Sequence, residues 1–115
     1  MRVLVCGSRT WDAFAPIFVR LAALPDDATV VHGAAPGADT LAGRAARLLG
    51  LTVEEHPAEW DKHGKRAGYL RNRQMIDSGV DLVIAFSRDD SRGTANTIDL
   101  ARRCGLPLEV HEWPS

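Results

Sequence analysis

Short apolar runs alternate along the chain with longer segments in which apolar residues recur every three or four positions. The short runs predict buried β-strands, because strands that are covered on both faces are almost continuously apolar. They cover residues 2–6, 28–32, 51–55, 80–86 and 106–111. The third run is the most polar and is predicted to lie nearer a sheet edge. The fourth is the most apolar and is predicted to lie at the sheet centre.

Helices are predicted between these strands. Residues 13–24 and 38–49 each place their apolar side chains on one helical face. Further helices are predicted from about Arg66 to Ser78, and from Gly93 and Thr94 to Cys104. Residues 57–66 have no clear period and are predicted to be irregular.

This alternation of strands and helices predicts an α/β fold with a parallel sheet between two helical layers. Right-handed crossovers then favour a Rossmann-like three-layer sandwich whose five strands lie in the order 3-2-1-4-5. Ligands of such sheets bind at the carboxyl ends of the strands, where the chain reverses direction across the sheet. The candidate loops are therefore 7–12, 33–39 and 87–94, and segment 57–73 is the nearest insertion.

Composition narrows the class of protein. The 115 residues are sufficient for one domain, which is expected to span 1–115. Lys and Arg total 14 against 15 Asp and Glu, so binding to nucleic acid through bulk charge is disfavoured. No apolar run approaches the roughly 20 residues of a membrane helix, and no signal-peptide pattern is visible. Cys6 and Cys104 lack metal-site spacing, so no metal site is expected. Because no signal-peptide pattern is visible, both cysteines are expected to be reduced thiols in a cytoplasmic protein. No cofactor is expected.

The first candidate loop contains Gly7, Ser8 and Arg9. A glycine at a strand end allows close approach of a ligand, a hydroxyl can bind it, and an arginine can bind phosphate with two parallel hydrogen bonds. A tight turn with a capping hydroxyl is the alternative. The loop matches neither a GxGxxG motif nor a P-loop.

The second loop contains Gly33, Gly37 and Asp39, and a predicted helix follows it directly. Such a loop can present backbone N–H groups to an anion. Asp39 could accept hydrogen bonds from ribose hydroxyls or simply be an acid in the first helical turn. His32 is predicted to be packed at the strand end.

The third loop leads to Gly93 and Thr94, which again suggest an anion site at a helix N-terminus, and Arg88 or Arg92 could add charge. The alternative is a solvated loop in which Thr94 caps the helix. Three glycine-containing loops that meet in one crevice indicate a ligand site more strongly than any single loop does.

Segment 57–73 adds aromatic and cationic side chains. Arg71 and Asn72 could bind phosphate or ribose, and Trp60 or Tyr69 could stack on a base. Packing within the protein is the commoner role for a tryptophan such as Trp60. No spacing here identifies catalytic residues.

Four motifs in order resemble the YspA, or cpYpsA-related, family of the SLOG superfamily. They are residues 1–9 with Trp11, residues 31–39, residues 71–75 and residues 91–97. The resemblance covers nearly the whole chain and implies a Rossmann-like domain of bacterial or phage origin. It also implies a nucleotide-derived ligand, such as a nucleoside phosphate or a relative of ADP-ribose or NAD. The superfamily includes the LOG enzymes, the DNA-processing Smf (DprA-like) proteins and sensor domains of defence systems.

LOG enzymes bind a nucleoside monophosphate with a PGGxGTxxE motif and cleave its base–ribose bond with the Glu and an Arg. Gly93 and Thr94 match the GT, and Arg71 is similar to the family arginine. The Glu position is Thr97, which has no carboxylate. The resemblance therefore implies ligand binding for sensing or sequestration, without the LOG catalytic acid.

Two alternatives stay open. The first is a LOG-like phosphoribohydrolase, in which Asp39, Glu59 or Asp61 would supply the missing acid. The second is binding of single-stranded nucleic acid, as in Smf proteins. It would use the side chains of Lys62, Lys65, Arg66, Arg71 and Arg73 together with Trp60 or Tyr69, and the net charge of −1 counts against it. A homo-oligomer, dimer or tetramer, is expected on the same resemblance.

Overall fold

The computed structural model describes residues 1–89 and 91–113, so Asp90 of the third candidate loop lies outside the described residues. The strands are β1 (Arg2–Gly7), β2 (Thr29–His32), β3 (Thr52–Glu55), β4 (Leu82–Ser87) and β5 (Leu108–Glu112). The helices are α1 (Phe14–Ala22), α2 (Ala38–Leu48), α3 (Trp60–His63), α4 (Ala67–Asp77) and α5 (Arg92–Arg103). All strand pairs are parallel, and their order is β3-β2-β1-β4-β5, which confirms the predicted topology.

The centre of the sheet is β1, so the prediction that the fourth strand lies there is wrong. Both β1 and β4 have four consecutive buried residues between two partly buried ends. Apolarity alone therefore cannot distinguish the central strand from its neighbour. The polar third strand does lie at an edge, as predicted.

The core is divided into two layers by the sheet. Val3 and Val5 of β1 face α1 and α2, where they join a cluster that includes Trp11. Leu4 and Cys6 alternate with them and face the helices α4 and α5. Because successive side chains of a strand point to opposite faces, the carboxyl end of β1 lies between two separate apolar layers. The candidate site lies at this end of β1.

The edge strand β3 has a charged face. Arg2 donates from both terminal nitrogens to the two Glu54 carboxylate oxygens, at 2.9 and 2.7 Å, and His56 Nε2 lies 2.7 Å from Glu54. The Arg2 hydrogen bonds, followed by that of His56, lower the pKa of Glu54 to about 2. This network links β1 to the edge strand β3.

The segment predicted to be irregular contains α3 and, directly after it, one turn of 3-10 helix (Gly64–Arg66). All residues of both turns are exposed. Because neither turn buries an apolar face, the sequence carries no period that could have revealed them.

Candidate functional site

A cleft of about 210 Å³ opens at the carboxyl ends of β1 and β4, on the face of the sheet that α4 and α5 cover. This is the point where the strand order reverses. Most of the predicted site residues line it: Gly7, Arg9, Asp39, Trp60, Tyr69, Arg71, Asn72, Gly93 and Thr94. Ser8, Gly33 and Gly37 do not.

Arg71 and Asn72 form the polar centre of the cleft, and both are buried. Arg71 Nε donates to Asn72 Oδ1 at 2.9 Å, and Arg71 Nη1 donates to the Gly33 carbonyl. Asn72 Nδ2 in turn donates to Asn96 Oδ1 at 3.0 Å and to the Gly93 carbonyl at 3.4 Å. Helix α4 is thereby tied both to the second candidate loop and to α5. The guanidinium is held in one orientation before any ligand arrives.

Asp39 supplies a buried carboxyl group to the same cleft. Its Oδ2 accepts hydrogen bonds from the N–H groups of Gly33, at 3.0 Å, and Ala35, at 3.4 Å. Its Oδ1 makes no hydrogen bond with the described residues. Burial raises the pKa of Asp39 to about 6, while the positive charge of Arg71 opposes that shift. A side chain with this pKa can exchange a proton near neutral pH.

His32 is packed at the end of β2, as predicted, and is 2 % exposed. Its Nδ1 accepts a hydrogen bond from the Ala34 N–H at 3.0 Å. Ala34 has a φ of +56°, a left-handed conformation that costs energy in any residue with a side chain. Burial lowers the pKa of His32, which favours the neutral ring that can accept this bond.

These contacts correct the predicted anion site at the second loop. Asp39 accepts hydrogen bonds from the N–H groups of Gly33 and Ala35, and His32 accepts one from that of Ala34. The Asp39 carboxylate therefore accepts the hydrogen bonds from Gly33 and Ala35 that were predicted to go to an external anion. These three N–H groups position Asp39 and His32 and are not free for a ligand.

Replacing His32 with asparagine should preserve the loop, whereas leucine should loosen it. Asparagine places its Oδ1 near the position of Nδ1 and can still accept from Ala34 N–H. Leucine leaves that partly buried donor without its protein partner, which costs up to about 1 kcal/mol. Urea denaturation of both variants measures the difference. Equal loss of stability in the two variants would contradict the role given to this hydrogen bond.

The N-terminus of α5 forms the opposite wall. The helix begins at Arg92 with Ser91 as its N-cap, one position earlier than predicted, and Ser91 Oγ accepts from Thr94 N–H at 3.4 Å. Thr94 Oγ1 lies 3.0 Å from Ser91 Oγ. The Gly93 N–H makes no hydrogen bond with a described residue. A donor at this helix N-terminus therefore remains open to an anion.

Sequence reasoning did not identify Ser91 as a site residue, although it lines the cleft. Its position three residues before Thr94 is the spacing of an N-cap, and that signal could have revealed it. Arg88, predicted as a source of charge, lies elsewhere: its guanidinium is 4.5 Å from the Trp113 ring centre and donates to the Thr10 carbonyl.

Ser8 and Gly37 contact the backbone of neighbouring loops and do not line the cleft. The Ser8 hydroxyl is buried and accepts a hydrogen bond from Arg88 N–H at 2.7 Å. Gly37 has a φ of +81° and a ψ of −127°, and a Cβ there would collide with the Ser8 carbonyl oxygen. Both residues were predicted to contact a ligand. In the structure they instead lie where two loops approach each other closely.

Replacing Gly37 with alanine should destabilise the protein more than the same change at Gly50. Both glycines have positive φ, but a Cβ on Gly50 meets no atom within 4 Å. Gly50→Ala should cost about 1–2 kcal/mol from backbone strain alone. Gly37→Ala should cost clearly more, because the collision adds to that strain. Equal thermal midpoints for the two variants would show that the close approach does not matter.

Trp60 and Tyr69 line the cleft with half of their surface exposed, 49 % and 48 %. The interpretation of Trp60 as a packing anchor is therefore wrong. Its ring lies beside Gly68, where an added Cβ would be 3.4 Å from Trp60 Cη2. Two exposed aromatic side chains beside a polar cleft are suited to stacking on a flat ligand.

Asp39 is the one carboxylate that lines the cleft within residues 1–89 and 91–113. Glu59 and Asp61, the other predicted acids, are exposed, and Glu59 pairs with Lys62 at 3.7 Å.

Cys6 lies at the cleft floor, where burial raises the pKa of its thiol and keeps it protonated. The described residues contain no cluster of His, Cys, Asp and Glu that could hold a metal ion. Among the same residues, no helix is long and apolar enough to cross a membrane.

The fold and the cleft define a Rossmann-like α/β protein with a polar cleft at the switch point of its sheet. The family model of the YspA, cpYpsA-related SLOG family matches residues 1–63, and the chain belongs to this family. It is similar to the Gene 61 protein of Mycobacterium phage D29, with 39 % identity over 116 residues that cover 93 % of each chain. No solved structure matches the chain.

Proposed function

We propose that this protein binds a nucleotide-derived small molecule in the cleft, for sensing or sequestration. The observation that carries the proposal is the convergence of three kinds of group in one cleft. These are a buried arginine, an open helix N-terminus and two exposed aromatic rings. Membership of the SLOG family supports a nucleotide-related role.

The phosphate is best bound between α4 and α5. Arg71 offers a guanidinium whose orientation is fixed by Asn72 and the Gly33 carbonyl. Gly93 N–H and the positive end of the α5 dipole face it from the other side. Arg9 is exposed at the rim, where it can add a second charge-assisted contact.

The remaining parts of a nucleotide also find partners. Trp60 and Tyr69 can stack on the base, since every base has an aromatic face. Asp39 Oδ1 can accept a hydrogen bond from a ribose hydroxyl, because Oδ2 already holds the loop. A phosphate, a sugar and a base would thus each meet a side chain suited to it.

Isothermal calorimetry with AMP, ADP and NAD tests this proposal. At least one of them should bind, and Arg9→Ala should weaken that binding about tenfold through loss of a hydrogen bond to a charged group. Arg73→Ala is the matched control, since Arg73 is exposed and pairs with Asp77 instead. Heats of dilution alone for all three nucleotides would contradict the proposal. So would equal effects of the two substitutions.

Hydrolysis of the bound nucleotide is a second candidate, favoured by the position and raised pKa of Asp39. As general base, Asp39 would take a proton from water, whose oxygen would form a bond to the ribose C1′ while the bond to the base breaks. From AMP, adenine would leave with the proton that Asp39 returns; from NAD, nicotinamide would leave as a neutral ring and the proton would pass to solvent. Chromatography of AMP and NAD after incubation should then show free base with the wild type and none with Asp39→Asn. Absence of turnover in the wild type would leave binding alone.

A further inference from the structure

The outer edge of the sheet at β5 carries no further strand among the described residues, and an apolar groove lies directly beside it. We propose that this edge and this groove form an interface between two copies of the chain, related by a two-fold axis that passes beside Val110. The family resemblance implies an oligomer but does not indicate which surface forms it. The interface does not depend on what the cleft binds.

The backbone of β5 bonds to β4 with every second residue. The Pro107 carbonyl accepts from Val83 N–H, and Trp113 N–H donates to the Ser87 carbonyl, each at 2.9 Å. Because bonding alternates along a parallel pair, the N–H and C=O groups of the other residues point away from β4. These residues are Leu108, Val110 and Glu112. A strand edge with such unpaired groups is a template for a further strand.

This edge is complementary to itself in the antiparallel direction. With Val110 opposite Val110 of the second copy, the two residues exchange both N–H···O=C hydrogen bonds. In the same register, Leu108 of each copy lies opposite Glu112 of the other and exchanges the same two bonds. All outward N–H and C=O groups of β5 thereby gain a partner.

The side chains of β5 agree with this register. Glu109 and His111 both face α1: Arg20 donates to the two Glu109 carboxylate oxygens at 2.8 and 2.7 Å, and His111 lines the groove with α1. In the antiparallel pair, Glu109 lies opposite His111 of the second copy, so an acid meets an imidazole twice and like charges do not meet. On the other face, Val110, which is 38 % exposed, packs against its counterpart.

The groove is the reason to choose a second copy as the partner. It has a volume of about 520 Å³ and runs between α1 and His111. Its wall on α1 is formed by Ala15, Pro16, Val19, Arg20 and Ala23. Val19 is 68 % exposed, a large apolar side chain that nothing in the described chain covers.

The two-fold axis that pairs the strands also covers this groove. For antiparallel strands at one edge, the axis is perpendicular to the sheet, so both copies of α1 lie on the same face, on either side of the axis. Stable dimers bury about 800 Å² on each partner, more than the edge of one five-residue strand offers. The contact between the two α1 helices supplies further area, most of it apolar.

Sedimentation equilibrium of the whole chain tests the strand pairing. The wild type should approach twice the chain mass of 12.5 kDa and dissociate on dilution. Val110→Pro removes the outward N–H without loss of a bond to β4, and should raise the dimer dissociation constant about a hundredfold through two lost hydrogen bonds. Val110→Thr is the matched control, because it keeps that N–H and the shape of the side chain. It should stay within about fivefold of the wild type.

A second pair of variants tests the groove and does not depend on the folding of Val110→Pro. Val19→Glu places a carboxylate in the apolar contact and should raise the dissociation constant about tenfold or more. Ala22→Glu adds the same charge at an exposed position of α1 that does not line the groove. It should leave the dissociation constant unchanged.

Three results would overturn the inference. The first is a wild-type monomer at every concentration, which would leave the edge to an extended segment of a different protein. The second is a folded Val110→Pro protein that dimerises as well as Val110→Thr. The third is an equal effect of Val19→Glu and Ala22→Glu on dimerisation. Each of these results leaves the ligand proposal for the cleft standing, because calorimetry tests that proposal separately.

Discussion

Replacing Arg71 with alanine should lower the affinity for ADP by at least about thirtyfold. Removal of one partner from a buried, charged and hydrogen-bonded contact costs about 2–5 kcal/mol, and 1.4 kcal/mol is a factor of ten. Arg71 meets these conditions because it is buried and its orientation is fixed by Asn72 and the Gly33 carbonyl. Calorimetric titration of both proteins with ADP measures the change.

Two variants control for an effect on the fold. Arg73→Ala removes an exposed arginine from the same helix and should leave the affinity unchanged. Arg71→Lys keeps the charge but cannot make the forked contacts, so its affinity should remain well below that of the wild type. A folded Arg71→Ala protein with wild-type affinity would exclude this side chain from the site.

Asp39→Asn should change how stability depends on pH. Burial raises the pKa of Asp39 in the folded protein from 3.8 to about 6, so folding favours the protonated carboxyl. The stabilising contribution is therefore fully present below about pH 4 and is lost as the pH rises through about 6. A shift of roughly two pKa units corresponds to about 3 kcal/mol.

Urea denaturation of both proteins from pH 4 to pH 7 measures this effect. The stability of the wild type relative to Asp39→Asn should fall across this range by up to about 3 kcal/mol. A pH-independent difference between wild type and Asp39→Asn would mean that Asp39 titrates as an ordinary surface acid.

The sequence was sufficient to predict the layers and strand order, because these depend on local patterns. The apolar runs and their spacing predict parallel strands with helical crossovers. The polar residues of β3 indicate an edge. In contrast, β1 and β4 are equally buried, and only their pairing partners show which is central.

The structure brings most of the predicted site residues into one cleft, and it gives some of them contacts that the sequence did not predict. Arg71, Asn72 and Thr94 belong to motifs that resemble the family, and the structure places them in one cleft. The glycines Gly33 and Gly37 were predicted to bind a ligand, but neither lines the cleft. A glycine cannot show what approaches, and here it is Arg71 at Gly33 and the Ser8 carbonyl at Gly37.

Other features depend on loop conformation and on exposure, which a single sequence does not determine. Asp39 satisfies the loop N–H groups through a contact between residues of a loop and the helix that follows it. Trp60 is exposed because α3 packs no face against the core. Neither a carboxylate nor a tryptophan indicates by its position alone which of its possible roles it has.

Titration of ¹⁵N-labelled protein with ADP, followed by two-dimensional NMR of the amide groups and the Arg71 Nε–H, tests the central claim most directly. The claim is that phosphate binds between α4 and the N-terminus of α5. We expect the largest saturable changes at the amides of Gly93 and Thr94 and at Arg71 Nε–H. Changes confined to the exposed cations of α3, Lys62 among them, with Gly93 and Arg71 unmoved, would contradict it.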